Sequence, residues 1–196
     1  SAALVGLAQA VFLICALWRV GLAVASLDRA PSPAWPPDAE APRYTVVAAL
    51  YDEAEVAPQL IARLSAIDYP PDRLEGFLVL EADDLETQDA ALRTPRPGWL
   101  QVLVAPPGRP RTKPRALNIA LSRASGDLLV VYDAEDDPDP LQLHEAAARF
   151  AADPSGRLAC LQAPLRIRTH ARSGFLARQF AAEYASLFEV VLPGMA

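Results

Sequence analysis

Leu128–Pro138, LLVVYDAEDDP, combines an apolar run with a cluster of acidic residues, and the other patterns of the chain are arranged around it. Its first part, Leu128 to Tyr132, is a run of four apolar residues and a tyrosine, which is typical of a buried strand in a parallel sheet. The acidic residues that follow are Asp133, Glu135, Asp136, Asp137 and Asp139. Because open α/β sheets bind ligands at the carboxyl ends of their strands, this pattern predicts a ligand site at the end of this strand.

The acidic residues after this strand suit a divalent cation. Mg²⁺ and Mn²⁺ prefer oxygen ligands, and one or two carboxylates usually hold them together with substrate phosphates. An alternative is that the acids favour the N-terminus of a helix predicted over Leu141–Ala152. That alternative explains Asp137 and Asp139, but it explains Asp133 poorly because Asp133 still belongs to the strand end.

The N-terminal segment is apolar enough to enter a membrane. Residues Ala2–Trp18 carry no charge, and Arg19 is the one charge before Val20–Leu27. A helix extended past Arg19, whose side chain can snorkel, reaches across the ~30 Å bilayer core. A signal peptide would need a basic stretch in front, and an ordinary buried helix is seldom apolar on every face. We therefore predict a transmembrane helix over residues 1–28.

The prolines that follow predict a stiff, extended linker over residues 29–43. Arg19, Arg29 and Arg43 follow the apolar segment and no basic residue precedes it. By the positive-inside rule, we expect a bacterial-type inner (cytoplasmic) membrane protein whose main domain faces the cytoplasm.

Charge and cysteine content exclude other classes of protein. The chain has 196 residues and a net charge of −6, from 24 acidic and 18 basic residues, which argues against nucleic-acid binding. The two cysteines, Cys15 and Cys160, do not form a disulfide framework, and we expect both to be small buried residues.

Strand and helix patterns alternate from Tyr44 onward. The predicted strands are Tyr44–Leu50, Phe77–Leu80, Leu100–Val104, Leu128–Asp133 and Leu158–Leu165. The predicted helices are Glu53–Ile67, Arg115–Ser125, Leu141–Ala152 and Gly174–Val191. This alternation predicts an α/β fold, with a mostly parallel sheet covered by helices on both faces.

Two further strand ends carry acidic residues, in Tyr51-Asp52-Glu53 and Glu81-Ala82-Asp83-Asp84. In a parallel sheet these ends share one edge with Asp133, where their mutual repulsion invites a cation. Lys113 is the only lysine of the chain and lies in a predicted loop over Pro106–Pro114. Together with the neighbouring arginines, this lysine predicts a diphosphate site beside the acids.

Five segments occur in an order that is typical of a known family: ALYDEAEV, LEADD, TKPRALNIAL, VVYDAEDDP and LQAPL. In this order and spacing the chain resembles the inverting glycosyltransferases of family 2, and it is most similar to their membrane-bound, cellulose-synthase-like branch. The resemblance implies a GT-A type, Rossmann-like nucleotide-sugar-binding domain over residues 44–196.

The resemblance also implies roles for individual residues. Tyr51 is expected to flank the base, and one of the acids after the second strand is expected to bind uracil. Lys113 is expected to face the diphosphate, with Asn118 nearby. The nucleotide-sugar-binding residues implied in this way are Tyr51, Glu53, Glu81, Asp83, Asp84, Lys113, Asn118 and Asp133.

The metal-binding motif of the family is Asp-x-Asp, and here it is Asp133-Ala134-Glu135, followed by Asp136. The resemblance implies a divalent metal, Mg²⁺ or Mn²⁺, bound by Asp133 with Glu135 or Asp136. The catalytic carboxylate and the Gln/Arg/Trp motif of the family lie downstream of a segment such as LPGMA. We therefore expect the catalytic base beyond Ala196, and we expect this part of the enzyme to be inactive alone.

The function implied is transfer of a sugar, from a nucleotide sugar such as a UDP-sugar, to a growing polysaccharide or a lipid acceptor with inversion. One alternative is a degenerate nucleotide-sugar-binding or assembly module without activity. Another is a sugar-phosphate nucleotidyltransferase, which would need a glycine-rich basic loop after the first strand, where this chain has YDEAEV.

Overall fold

A computed structural model describes residues 2–27, 41–167 and 174–195 of the chain. The described residues fall into two compact units, one from 32–157 and the other from 1–31 together with 158–196. The strands are β1 (Tyr44–Leu50), β2 (Leu74–Glu81), β3 (Leu100–Ala105) and β4 (Leu128–Tyr132). The α-helices are α1 (Ala2–Ala25), α2 (Ala57–Ser65), α3 (Leu85–Arg93), α4 (Lys113–Leu121), α5 (Gln142–Ala151), α6 (Phe175–Ser186) and α7 (Leu192–Met195).

The four strands form one parallel sheet in the order β3-β2-β1-β4. Strand β1 pairs with β2 along its whole length, from Tyr44 opposite Leu74 to Leu50 opposite Leu80. On its other side β1 pairs with β4, from Tyr44 opposite Leu128 to Ala48 opposite Tyr132. The predicted parallel sheet is confirmed, and the strand order reverses between β1 and β4.

Helices cover both faces of the sheet, as predicted. On one face Leu60, Ile61 and Leu64 of α2 are fully buried in the cluster that contains alternate β1 residues such as Val46. On the other face, α4 packs through Ala116 and Ala120. Its partners are the strand residues that point to this face, including Val47, Phe77 and Val79. Both faces of β1 and β2 are covered, which is why their apolar residues do not alternate with polar ones, whereas Leu129 and Val131 of the edge strand β4 are exposed on one face.

A polar cluster joins the starts of β1 and β2 to the segment just before β4. The Glu75 carboxylate accepts hydrogen bonds from the hydroxyl groups of Thr45 (2.5 Å) and Ser125 (3.0 Å), and from the backbone N–H of Gly126 (3.0 Å). A Cβ at Gly126 would lie 2.6 Å from the backbone nitrogen of Thr45, so this close approach requires glycine.

Two predictions about elements are wrong, and one helix was not predicted. Residues 158–167 contain no strand, although one was predicted over Leu158–Leu165, because a strand needs a hydrogen-bonded neighbour and the sheet ends at β4. Helix α3 was not predicted, because it is short and largely polar. Helix α4 begins at Lys113, because Pro114 fits the first turn of a helix, where its missing N–H costs no hydrogen bond.

In the other unit, α1 is the one helix, among the residues that the structure describes, that is long and apolar enough to cross a membrane. Its mean hydropathy is 2.0, and Leu22 is its one buried side chain. The predicted helix over Gly174–Val191 is present as α6, followed by a π-helical turn at Leu187–Val191. The predicted linker lies outside the described residues, except for its last three positions, 41–43.

Both cysteines are free, as predicted, but they are exposed, and the prediction that they are buried is wrong. Cys15 lies on the surface of α1, and Cys160 lies in the segment that forms no strand.

Candidate functional site

The candidate site lies at the carboxyl ends of β1, β2 and β4. All three strands are parallel, so the segments after Leu50, Glu81 and Tyr132 leave the sheet at the same edge. The point where the strand order reverses lies between β1 and β4, and ligands of open α/β sheets bind at such points. The acidic residues predicted to share one edge therefore do so.

The loop after β1 is held by the N-terminus of α3. The backbone N–H of Asp52 donates a hydrogen bond to the Asp84 carboxylate at 2.7 Å, and that of Glu53 donates to the hydroxyl of Thr87 at 3.0 Å. Asp52 has a φ of 58°, in the left-handed region that aspartate tolerates better than most residues. With its backbone fixed in this way, the loop leaves half of the Tyr51 side chain exposed at the edge of the sheet.

The three acids after β2 have three different environments. Glu81 is 5% exposed, and both of its carboxylate oxygens accept from the guanidinium of Arg115 at 3.0 Å. Asp84 caps α3 by accepting from the backbone N–H of Thr87 at 3.2 Å. Asp83 is half exposed and forms a salt bridge with Arg111.

The pKa of Asp84 records its structural role. Burial alone would raise this pKa, but the hydrogen bonds from Asp52 and Thr87 outweigh burial, and the pKa lies below its ordinary value. Glu81 and Asp84 are therefore bound within the fold, whereas the partner of Asp83 is the exposed side chain of Arg111.

Arg115 organises the loop before α4, although no sequence pattern singles this residue out. Besides Glu81, its guanidinium donates a hydrogen bond to the carbonyl of Pro106. A Cβ at Gly108 would lie 2.7 Å from Nη2 of Arg115, so a larger residue there would displace the end of this guanidinium. Only its pairing with Glu81 identifies Arg115 as important, because a buried glutamate requires a partner of opposite charge.

The single lysine of the chain meets the first acid after β4. Lys113 is the first residue of α4, not part of a loop as predicted, and its ammonium group contacts the carboxylate of Asp133. Both side chains remain partly exposed, at 38% and 60%. Asn118 lies more than a helical turn farther along α4, where it is exposed.

The acidic segment after β4 forms a closed turn. The backbone N–H of Asp136 donates to the carbonyl of Asp133 at 3.1 Å, and the N–H of Asp133 donates to the Asp136 carboxylate at 2.7 Å. Burial raises the pKa of Asp136, and the positive charges of Lys113 and Arg63 oppose that rise. One carboxylate oxygen of Asp136 is thus used within the turn, while Glu135 is exposed.

Glu53 shows that the three strand ends influence one another electrostatically. Burial is the main cause that raises the pKa of Glu53, and the hydrogen bond from the backbone of Tyr51 opposes it. The carboxylates of Glu135 and Asp84 raise this pKa further, while Lys113 lowers it. Residues from the ends of β1, β2 and β4 and from the start of α4 therefore lie close enough to form one site.

The residues at this edge fit a cation that a ligand helps to hold. Among the described residues, no three histidine, cysteine, aspartate or glutamate side chains converge as a complete metal site. The ammonium group of Lys113 against Asp133 shows that this position attracts positive charge. One or two carboxylates completed by diphosphate oxygens are a common way of holding Mg²⁺ in nucleotide sites.

Comparison with known proteins assigns the family. The model of the family described as glycosyltransferase like family 2 matches residues 42–189, which include the sheet and every site residue described above. The chain belongs to this family of glycosyltransferases.

Two relatives illustrate the relationship. The probable glycosyltransferase YdaM of Bacillus subtilis (strain 168) is 26% identical over 107 residues, which are 54% of this chain and 26% of YdaM. The mannosyltransferase PcManGT from Pyrobaculum calidifontis, solved in complex with GDP-Man and Mn²⁺, is 29% identical with a TM-score of 0.62. That match covers 76% of this chain and 43% of the mannosyltransferase. The chain thus spans less than half of the length of either relative.

Proposed function

We propose that this chain is the donor-binding part of a membrane-anchored glycosyltransferase that uses a nucleoside-diphosphate sugar and a divalent cation. The observation that carries the proposal is the pairing of Lys113 with Asp133, at the point where the strand order of a family 2 domain reverses. A lysine for phosphate and a carboxylate for a cation are there held side by side.

We assign recognition of the base to Tyr51 and Asp83. Tyr51 offers a half-exposed ring after β1, which suits stacking on a base. Of the three acids after β2, Asp83 is the one whose carboxylate neither is buried nor caps a helix. We propose a UDP-sugar as donor, and GDP is the necessary comparison because the mannosyltransferase described above was solved with GDP-Man.

We assign the diphosphate and the cation to the opposite side of the site. Lys113 faces the diphosphate, and Asp133 binds the cation together with Glu135 or the second carboxylate oxygen of Asp136. A bound cation would neutralise the charge that develops on the leaving diphosphate. Lys113 supplies a further positive charge at the same place, and the acceptor hydroxyl would attack the sugar from the opposite side with inversion.

We also propose where the chain meets the membrane and which class of acceptor it serves. Helix α1 would cross the bacterial inner membrane, with the sheet on the cytoplasmic side, where nucleotide sugars are made. A growing polysaccharide or a lipid is the acceptor class that fits an enzyme held at a bilayer. The catalytic base and the acceptor-binding residues would belong to the remainder of the enzyme.

The test is cation-dependent nucleotide binding by calorimetry. We expect the chain to bind UDP in the presence of Mn²⁺, and to lose most of this affinity when Mn²⁺ is removed with a chelator. A parallel titration with GDP decides which base the site prefers. If neither UDP nor GDP binds to a protein that circular dichroism shows to be folded, the proposal is ruled out.

A degenerate binding module is the second candidate. It is favoured by the glutamate in the second position of Asp133-Ala134-Glu135 and by the lack of three converging metal ligands among the described residues. The same titration separates the two candidates, because a module that has lost its cation should bind UDP equally well with and without Mn²⁺.

A further inference from the structure

We define the acidic turn after β4 as Asp133–Asp137. Arg63 of α2 is hydrogen-bonded to this turn. We infer that Arg63 is a positioning residue, which holds this turn in the shape that binds the divalent cation. The inference rests on the function proposed above, because the cation belongs to that function. It concerns a residue on a different element from the acids, in a helix that no site motif includes.

The helix that carries Arg63 is firmly anchored. Leu60, Ile61 and Leu64 of α2 are fully buried against the sheet, on either side of Arg63 in sequence. The Arg63 side chain itself is 24% exposed, at the last turn of the helix. The guanidinium group is thus presented from a fixed support, which is what a positioning residue requires.

The bonds from Arg63 fix the backbone of the turn and not only its charge. Nη1 donates to the carbonyl of Glu135 at 2.9 Å and to the carbonyl of Asp136 at 3.1 Å. Nε lies 3.8 Å from the carboxylate of Asp137. Two successive carbonyls held by one guanidinium set the orientation of both peptide groups, and hence the direction in which the Glu135 and Asp136 side chains leave the backbone.

Arg63 also decides which oxygens of the turn face a cation. Carbonyl oxygens are ligands for Mg²⁺ and Mn²⁺ as well as carboxylates. Because the carbonyls of Glu135 and Asp136 accept from Arg63, they point toward α2 and lie against a positive charge, which disfavours a cation at the same oxygens. The turn is left to offer its carboxylates, of which Asp133 lies beside Lys113.

Positioning and simple electrostatics predict opposite results at this residue. Arg63 is a positive charge near the turn, so its removal should tighten cation binding if charge were its only effect. If the guanidinium instead holds the turn in shape, its removal should weaken cation binding. Groups that orient metal ligands from behind typically change metal affinity by about 10- to 100-fold.

The experiment compares three variants of the full chain. Arg63→Met removes the guanidinium. Arg63→Lys keeps the charge, but its side chain is shorter and has no second nitrogen for the Asp137 carboxylate while the first donates to both carbonyls. Arg93→Met is the matched control, since Arg93 is an 80% exposed arginine near the end of a helix, paired with Asp89 at 2.9 Å. Mn²⁺ binding is followed by the paramagnetic resonance signal of free Mn²⁺, with and without UDP.

We expect Arg63→Met to weaken Mn²⁺ binding at least tenfold, Arg63→Lys to recover only a small part, and Arg93→Met to match the wild type. Hydrogen exchange gives a second readout that needs no metal. The amides of Asp133 and Asp136, which donate within the turn, should exchange faster in Arg63→Met but not in the control.

Unchanged or tighter Mn²⁺ binding by Arg63→Met would overturn the inference, as would full recovery by Arg63→Lys. If the wild type binds UDP without any effect of Mn²⁺, this inference is wrong and nucleotide binding by the chain stands. A wild type that binds neither UDP nor Mn²⁺ overturns the proposed function and this inference together.

Discussion

The ammonium group of Lys113 contacts the carboxylate of Asp133, so the only lysine of the chain is paired with the first acid after β4. The two residues come from different elements, the first turn of α4 and the end of β4. Without a ligand the pair neutralises itself, and in the function that we propose each partner has a separate task, the diphosphate for Lys113 and the cation for Asp133.

Lys113→Ala should weaken UDP binding by roughly ten- to a hundredfold, because a charge-assisted hydrogen bond is worth about 1.5–3 kcal/mol. Uridine binding should hardly change, since uridine has no diphosphate. Lys113→Arg should recover only part of the loss, because the guanidinium is wider and planar. Calorimetry with both ligands measures this, with Arg123→Ala, an exposed position just after the same helix, as the control. Equal losses for uridine and UDP would assign Lys113 to the fold instead.

Asp133→Asn should abolish most of the gain in UDP affinity that Mn²⁺ provides. A neutral amide replaces the carboxylate that faces the cation, while the side-chain shape is kept. Titration of UDP with Mn²⁺ and then with a chelator gives the two affinities to be compared. An Mn²⁺ effect of wild-type size in a folded Asp133→Asn protein would remove Asp133 from the cation site.

Asp83→Asn and Glu81→Gln should separate base recognition from folding. Asp83→Asn should weaken uridine and UDP by the same factor, about tenfold, with no change in the free energy of unfolding. Glu81→Gln leaves the guanidinium of Arg115 without its buried partner and should cost roughly 3 kcal/mol of unfolding free energy. Denaturant unfolding and uridine titration of both variants check this. Reversed results would make Glu81 the base-binding acid.

The stability of the chain should respond to pH in opposite directions at Glu53 and Glu75. Burial raises the pKa of Glu53 above 4.5, so its contribution is full below pH 4.5 and is lost as pH rises through the raised pKa. Glu53→Gln should therefore gain stability relative to the wild type between about pH 4 and pH 7. Unfolding in urea across this range measures the difference, and a difference independent of pH would contradict the assignment.

Glu75 is the matched comparison. Burial would raise its pKa, but hydrogen bonds from Thr45, Ser125 and Gly126 outweigh burial and lower the pKa below 4.5. Its contribution is therefore full above pH 4.5 and is lost as pH falls through the lowered pKa. Glu75→Gln should be less stable than the wild type at neutral pH, and the two should converge in acid.

The membrane topology that we propose puts Ser32 on the cytoplasmic side. With Cys15 and Cys160 replaced by serine, a Ser32→Cys protein should resist a membrane-impermeant thiol reagent in intact cells and react after the cells are opened. Rapid labelling in intact cells would reverse the orientation that Arg19, Arg29 and Arg43 predict. The protein without any cysteine serves as the control for background labelling.

The sheet could be predicted from the sequence because its signals are local. Each of its four strands is an apolar run that ends in a polar or proline-containing segment, and the alternation with helices forces parallel pairing. The roles of individual acids could not be predicted in this way. Glu81 and Asp84 are bound within the fold through Arg115, Asp52 and Thr87, and the first two of these partners lie about thirty residues away.

The errors have the same cause. The residues Leu158–Leu165 have the composition of a strand, but a segment forms a strand only when it is hydrogen-bonded to a neighbouring strand. Lys113 was assigned to a loop because of the prolines around it, whereas Pro114 is a normal first-turn residue of a helix. Arg63 could not be singled out from the sequence, because its hydrogen-bond partners are backbone carbonyls, which every residue has.

The pairing of β1 with β4 has a consequence for how the protein is made. Arg43 and Asp127, which are hydrogen-bonded at the start of these strands, are 84 residues apart in the chain. On the ribosome, β1, β2 and β3 are complete long before β4 emerges, and pairing across such a distance is a slow step of folding. Tyr51 and Asp133 therefore reach the same edge of the sheet only after β4 has paired with β1, so the nucleotide binding that we propose would report this late pairing and could be used to time it during synthesis.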